Sequence, residues 1–143
     1  MIIRVRQVCS RKEREKAFAI RIRVFVREQG VPEEIEMDRD DERAVHFIAF
    51  SGANAVGTAR VVIRGGSAKI GRMAVLKSYL KRGVGKKLLK QTIALARRLS
   101  ARKIYLHAQV PVIGFYESMG FRCSGPVFDE AGIAHRKMVL PRE

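Results

Sequence analysis

The sequence predicts a mixed α/β fold in which a central, mostly antiparallel twisted sheet carries helices on both faces. Three observations support this prediction. Strand-like and helix-like segments follow one another in the order strand, helix, three strands, helix, strand, helix, two strands. The composition, 47% hydrophobic and 30% charged, is typical of a folded globule. A chain of 143 residues can bury one core but is too short for two ordinary domains, so we expect residues 1–143 to form a single domain.

The first helix is predicted by its start signal and by its apolar spacing. Ser10 and Glu13 match a capping box, in which the serine accepts from the amide three residues later and the glutamate reaches back. The spacing of Phe18, Ile22 and Phe25 predicts the face that packs on the core. We expect three basic side chains to lie off that face, namely Arg14, Arg21 and Arg23.

Alternating apolar and polar residues, separated by turn residues, predict the strands. These strands are expected over residues 2–8, 44–50, 55–64, 69–75, 103–108, 121–128 and 133–140. Residues 82–99 predict the longest helix, with one apolar face formed by Val84, Leu88, Leu95 and Leu99, and residues 111–119 predict a short one. The acidic stretch 33–42 predicts a solvated turn or short helix.

The charge balance indicates an anionic partner without selecting one. Lys and Arg number 29 against 14 Asp and Glu, a formal charge of +15, which attracts nucleic acid, acidic lipid or a phosphate-bearing small molecule. The basic residues are spread along the chain, and no zinc-finger or RNA-recognition pattern is present, which argues against a nucleic-acid partner. Cys9 and Cys123 lack metal-site spacing, so we expect no metal. Neither a membrane helix nor a signal peptide is recognisable, so we expect a cytoplasmic protein without a membrane partner.

The segment 80–89 carries the most specific chemical signal. Gly83 and Gly85 leave room for backbone amides at the start of the long helix to approach a phosphate, and the helix dipole favours negative charge there. Four neighbouring side chains add positive charge, namely Lys81, Arg82, Lys86 and Lys87. The Gly-Lys-Ser/Thr of a P-loop is absent, and the preceding strands form a meander rather than a dinucleotide-binding unit. The segment therefore predicts a diphosphate cradle.

Three segments, 70–75, 83–85 and 114–121, together resemble the GNAT acetyltransferase superfamily, in its order and spacing. The stretch 23–32 resembles a subgroup of small bacterial-type members. The resemblance implies acetyl-CoA as cosubstrate, held by backbone groups of the strand at Met73, Ala74 and Val75 and by the glycine loop. The implied contacts in that loop are Lys81, Arg82, Gly83, Val84, Gly85, Lys86 and Lys87. The superfamily pattern begins with Gln or Arg where this chain has Leu80, and we expect Lys81 and Arg82 to supply the missing charge.

The same resemblance implies direct transfer of acetyl to an amine without a covalent acyl-enzyme. Tyr116, in the matching segment 115–121, is implied as the acid that protonates the leaving thiolate. His135 lies in a tail strand similar to that of glyphosate-type N-acetyltransferases, where a histidine acts as base. Glu28, after a helix that borders the acceptor cleft in the superfamily, is the alternative base.

Three arginines are candidates for binding an anionic group of the acceptor, namely Arg21, Arg23 and Arg72. We expect a small-molecule amine as acceptor, with a protein amine as the alternative and a homodimer as a plausible assembly. Two other functional hypotheses stay open. One is a basic nucleic-acid- or ribosome-associated module, and the other is an acyl-CoA sensor that does not turn over.

Overall fold

A computed structural model describes residues 2–142 and contains one eight-stranded sheet. Its strands are β1 Ile3–Gln7, β2 Val45–Ser51, β3 Asn54–Arg64, β4 Ser67–Val75, β5 Lys103–Gln109, β6 Arg122–Cys123, β7 Phe128–Glu130 and β8 Ile133–Leu140. Its α-helices are α1 Arg11–Arg21, α2 Glu33–Glu36, α3 Val84–Arg98 and α4 Ile113–Ser118. A π-helical stretch, Ile22–Glu28, continues α1, and 3₁₀ turns cover Arg39–Glu42, Lys77–Tyr79 and Val110–Val112. None of the helices in this described part of the chain is both long and apolar enough to cross a membrane.

The strands lie in the order β1-β2-β3-β4-β5-β8-β6, with β7 also paired to β8. The first four form an antiparallel meander, because each is joined to the next through a short connection or a returning helix. β4 and β5 form the one parallel pair among the described strands, and β5 then pairs antiparallel with β8. The predicted mixed and mostly antiparallel sheet is therefore confirmed.

Helices cover both faces of the sheet, because successive side chains of β2 are apolar on both faces. Phe47 packs in the same buried cluster as Leu88 of α3. Ile48 and Phe50 pack instead with Ala17 of α1. Since successive strand residues point to opposite faces, α1 and α3 lie on opposite sides of the sheet.

The start of α1 is confirmed, but its buried face is not the predicted one. Ser10 caps the helix by accepting from the amide of Glu13, and Glu13 reaches back to the amide of Cys9. The buried residues are Ala17, Ile20, Arg21 and Val24, whereas Phe18, Ile22 and Phe25 are only partly buried. The expectation that Arg21 lies off this face is wrong, since an arginine can be buried when carboxylates neutralise it.

Three other predictions are corrected in detail. Leu99 follows the end of α3 and is exposed, although Val84, Leu88 and Leu95 are buried as predicted. The acidic stretch is not simply solvated, because Glu36 and Asp41 are buried. The strand expected over 121–128 is divided into β6 and β7, since the intervening Gly125 has φ +88° and the following proline cannot donate to a ladder.

Candidate active site

The sheet opens between β4 and β5. Their parallel pairing runs from Ser67 opposite Lys103 to Ile70 opposite Leu106 and ends there within the described chain. β4 nevertheless continues to Val75, and β5 continues to Gln109. The last five residues of β4 therefore have backbone groups on one edge that no described strand occupies.

A β-bulge in β4 decides which side chains face this opening. In the pairing with β3, Thr58 lies opposite Ala74 whereas Arg60 lies opposite Gly71, so β4 has one extra residue between them. Arg72 takes up the bulge with φ +48°. The alternation reverses there. Ile70 packs on the α3 side before the bulge, whereas after it Ala74 packs with α1 and the odd-numbered Met73 packs on the α3 side.

The start of α3 fits the predicted diphosphate cradle. Gly83 precedes the helix with φ +82°, a conformation that glycine adopts without strain, and no side chain caps the helix start. The amide of Lys87 bonds to the carbonyl of Gly83, so the amides of Val84, Gly85 and Lys86 precede the first intrahelical bond. Such amides bind anions well. The side chain of Val84 is buried, so only its backbone can take part.

The basic side chains of this segment divide into two groups. Lys81, Arg82 and Lys86 are exposed around the helix start, and the guanidinium of Arg82 lies over the ring of Tyr79. Lys87 differs, because its ammonium donates to the carbonyl of Ile3 in β1 at 3.0 Å. Since this contact holds the ammonium against β1, we no longer include Lys87 among the cradle residues.

Tyr116 lies where α4 meets β4 and α3. Its hydroxyl lies 3.8 Å from the Sδ of Met73, and its ring packs edge-on against Phe115 and Phe121. The ring of Phe115 in turn lies close to Gly85, since a Cβ added there would be 3.5 Å from it. Burial raises the pKa of Tyr116 to about 12, so its hydroxyl keeps its proton at neutral pH.

His135 belongs to a second cluster on the opposite sheet face. Its Nδ1 lies 2.7 Å from the carbonyl oxygen of Ile133, and because a carbonyl only accepts, Nδ1 carries the proton. Nε2 then has the lone pair of the neutral ring, and it lies 3.7 Å from a carboxylate oxygen of Glu130. The other carboxylate oxygen of Glu130 accepts from Nδ1 of His107 at 2.9 Å. Phe128 stacks on His135 and meets His107 edge-on.

Glu28 is exposed at the end of the π-helical stretch. Its neighbour Gln29 accepts from the side-chain amide of Gln109 at 2.8 Å. Gln109 lies opposite His135 in the pairing of β5 with β8. The π-helical stretch therefore ends beside the His135 cluster, and Glu28 borders it without being part of it.

The three candidate arginines for the acceptor are not equivalent. Arg21 is fully buried, and its guanidinium donates to Glu36 at 2.8 Å and to Asp41 at 2.7 Å. We therefore withdraw Arg21 as an acceptor-binding residue. Arg72 pairs with Glu36 and Asp38 at 3.1 Å each, while Arg23 is exposed.

These ion pairs join the acidic segment to α1, β3 and β4 in one network. Arg60 of β3 contributes bonds to Asp38 and Asp41. Burial by itself would raise the pKa of Asp41, but the hydrogen bonds and charges of Arg21 and Arg60 outweigh it and lower that pKa to about 2. Burial raises the pKa of Glu36. The network fixes the acidic segment against α1, β3 and β4.

Sequence reasoning missed Glu130 and Gln109. Glu130 falls between the predicted strands 121–128 and 133–140, where an acidic residue carries no special signal. The period-2 alternation of β8 could have placed His135 on one sheet face, but the pairing that brings His107 and Glu130 beside it joins residues far apart in the chain.

Comparison with known proteins agrees with this architecture. Residues 9–141 match the family described as "Acetyltransferase (GNAT) domain". The chain belongs to this family, and hence to a class of acyl-transferring enzymes.

Among its relatives, "Uncharacterized N-acetyltransferase YjcF" of Bacillus subtilis (strain 168) is 36% identical over 124 residues, which are 86% of this chain and 89% of that protein. The crystal structure of Escherichia coli ElaA superposes with a TM-score of 0.87 at 25% identity, covering 98% of this chain and all of the other. An acyl-CoA N-acyltransferase from Pseudomonas aeruginosa shares the fold with a TM-score of 0.77 at 23% identity, covering 98% of this chain and 99% of that one.

Proposed function

We propose that the protein transfers an acetyl group from acetyl-CoA to a primary amine by direct attack in a ternary complex. The observation that carries this proposal is the meeting of Tyr116, Met73 and Gly85 between the open edge of β4 and the uncapped start of α3. The site thus contains a hydroxyl donor, an unpaired strand edge and a helix start that can bind an anion, one next to the other. This arrangement suits a long cosubstrate with a diphosphate at one end and a thioester at the other.

In the proposed binding mode, the amides of Gly85 and Lys86 receive the diphosphate, with Lys81 and Arg82 adding charge. Backbone groups of Met73 and Val75 bond the arm between diphosphate and thioester, and the small Ala74 packs against α1 behind them. The nearby Tyr116 hydroxyl then reaches the sulfur.

In the proposed reaction, the amine nitrogen attacks the thioester carbonyl, a C–N bond forms and the C–S bond breaks. The Nε2 of His135 takes the proton that the amine loses, with Glu28 as the alternative acceptor. Tyr116 stabilises the leaving thiolate. Because its pKa of about 12 exceeds the roughly 8.5 of an ordinary thiol, a hydrogen bond to the thiolate is favoured over complete proton transfer.

The proposal is tested by following thiol release from acetyl-CoA with a panel of primary amines, together with calorimetry of CoA binding. Saturable binding and amine-dependent thiol release are expected. CoA binding without release for any amine, including a lysine-containing protein, would favour the acyl-CoA sensor. No CoA binding, together with salt-dependent binding to duplex nucleic acid, would favour the nucleic-acid module.

A further inference from the structure

We propose that Glu130 is the acceptor-binding carboxylate of this enzyme and that it holds the alkylammonium form of the amine before the proton is lost. This inference rests on the proposed function, since it identifies the acceptor as an amine that is cationic at neutral pH. It assigns a role to a residue that lies in a surface hairpin and that no sequence motif marks.

The first argument is accessibility. The side chain of His135 is 8% exposed, and one of its ring nitrogens is already bonded to the Ile133 carbonyl. The side chain of Glu130 is 39% exposed, and its Oε2 lies 3.7 Å from the remaining nitrogen of His135. An amine that approaches this cluster from solvent therefore meets the carboxylate, and Nε2 lies next to it.

The second argument is that Glu130 is held in place and stays ionised. The Nδ1–H of His107 donates to Oε1 at 2.9 Å, which leaves Oε2 without a hydrogen bond of normal length. The hydrogen bond from His107 is the main cause that lowers the pKa of Glu130. A carboxylate with a low pKa is a poor proton acceptor but a good counter-ion, so the chemistry separates into binding by Glu130 and proton acceptance by His135.

The third argument is position. Glu130 shares a sheet face with Phe128, His135 and His107 through the pairings of β7, β8 and β5. Further along, α1 covers the same face. The Gln29–Gln109 hydrogen bond joins the end of the π-helical stretch to β5 opposite His135. Lys69 of β4 interacts electrostatically with Glu130 but forms no ion pair with it, so the carboxylate is not already neutralised by a lysine contact.

The apolar wall beside the carboxylate indicates the kind of amine. The Phe128 ring stacks on His135 with centroids 6.0 Å apart and lies edge-on to His107 at 5.0 Å. An aromatic surface next to a carboxylate suits an ammonium on an apolar stem, because the ring attracts the cation and covers the alkyl part. Neutral arylamines would gain nothing from Glu130.

The test is a titration of ¹⁵N-labelled protein with n-butylammonium chloride in saturating CoA, followed by amide chemical shifts at constant ionic strength. Saturating shifts are expected in residues 128–135, and n-butanol is expected to leave them unchanged. Glu130→Gln should raise the Kd for butylammonium by about tenfold or more, the range of one charge-assisted hydrogen bond. The matched control is Glu15→Gln, which removes the same charge from the exposed side of α1 and should titrate like the wild type.

Two outcomes would overturn the inference: wild-type affinity in Glu130→Gln, or wild-type shifts that spare the β7–β8 hairpin. Failure of the proposed function is a separate result, because it would be seen as absent thiol release while ammonium binding at the hairpin persisted. Once an accepting amine is found, Glu130→Gln should raise its KM with little change in the KM for acetyl-CoA.

Discussion

The hydroxyl of Tyr116 lies 3.8 Å from the Sδ of Met73, so a side chain from α4 meets β4 beyond the point where β4 has separated from β5. The contact is possible because the bulge at Arg72 turns Met73 toward the α3 side of the sheet. The thioether is a weak acceptor, and a sulfur arriving with the cosubstrate can replace it as the partner of the hydroxyl.

Replacing Tyr116 by phenylalanine should therefore reduce turnover without loosening the site. The ring keeps its contacts with Phe115 and Phe121, but the donor to the thiolate is lost. We expect turnover to fall by something on the order of 10²-fold and the Kd for acetyl-CoA to stay near that of the wild type. Thiol release and calorimetry measure the two quantities. The control is Tyr105→Phe, which removes a hydroxyl from a ring that lies under Lys103 and Lys137. This variant should turn over like the wild type. Wild-type turnover in Tyr116→Phe would mean that the thiolate leaves unaided.

The diphosphate cradle is tested by comparing two glycines in the positive-φ region. Gly83 and Gly52 both have positive φ and no atom within 4 Å of an added Cβ, so valine at either position brings mainly backbone strain of about 1–2 kcal/mol. Gly52 lies in the distant β2–β3 turn. We expect Gly83→Val to weaken CoA binding by about tenfold or more and Gly52→Val to leave it unchanged. Gly85→Val should also weaken CoA binding, because its side chain would block approach to the backbone amides. Equal CoA affinities for Gly83→Val and Gly52→Val in calorimetry would remove the cradle role from Gly83.

The identity of the base is tested by comparing the turnover of two variants. If the Nε2 of His135 accepts the proton from the amine, His135→Ala should lose most of the turnover while its Kd for acetyl-CoA stays near that of the wild type. Glu28→Gln should keep most of the turnover. The opposite pattern, with turnover retained in His135→Ala and lost in Glu28→Gln, would assign the base to Glu28.

Asp41 predicts a pH dependence of stability. Its folded pKa of about 2 lies below its unfolded value of 3.8, so its contribution of about 2 kcal/mol is complete above pH 3.8 and is lost as the pH falls to about 2. Asp41→Asn should flatten this part of the stability curve. At pH 7 it should cost about 3–5 kcal/mol, because Arg21 is left buried and without one partner.

Urea unfolding at several pH values measures both effects. The control is Asp40→Asn, whose partly exposed pair with Arg64 should contribute at most about 1 kcal/mol. Glu36 does not obscure the result. Burial raises its pKa above 4.5, so its ionisation changes the free energy of unfolding only at pH values above the range in which Asp41 acts. An acidic unfolding curve that is the same in wild type and Asp41→Asn would show that the network does not provide this stability.

Local signals were sufficient for the parts of the fold that depend on neighbouring residues. Ser10 predicted the start of α1, and the apolar spacing over residues 82–99 predicted α3, which begins two residues later at Val84. The alternation of residues 133–140 predicted β8 as observed. Burial of Arg21 could not be read in this way, because its partners Glu36 and Asp41 come from a different segment and an isolated arginine on a helix indicates solvent. The His135 cluster could not be predicted for the same reason, since β5, β7 and β8 must pair before its members meet.

The bulge at Arg72 makes the site depend on the length of β4 as well as on its side chains. Removal of one residue between Ile70 and Ala74 would restore simple alternation, and every side chain on one side of the deletion would then point to the opposite face. Met73 would leave Tyr116 and turn toward α1, although the composition of the strand would hardly have changed. The number of residues in β4 therefore positions Met73 against Tyr116, and we expect a one-residue insertion or deletion in this strand to disrupt the site.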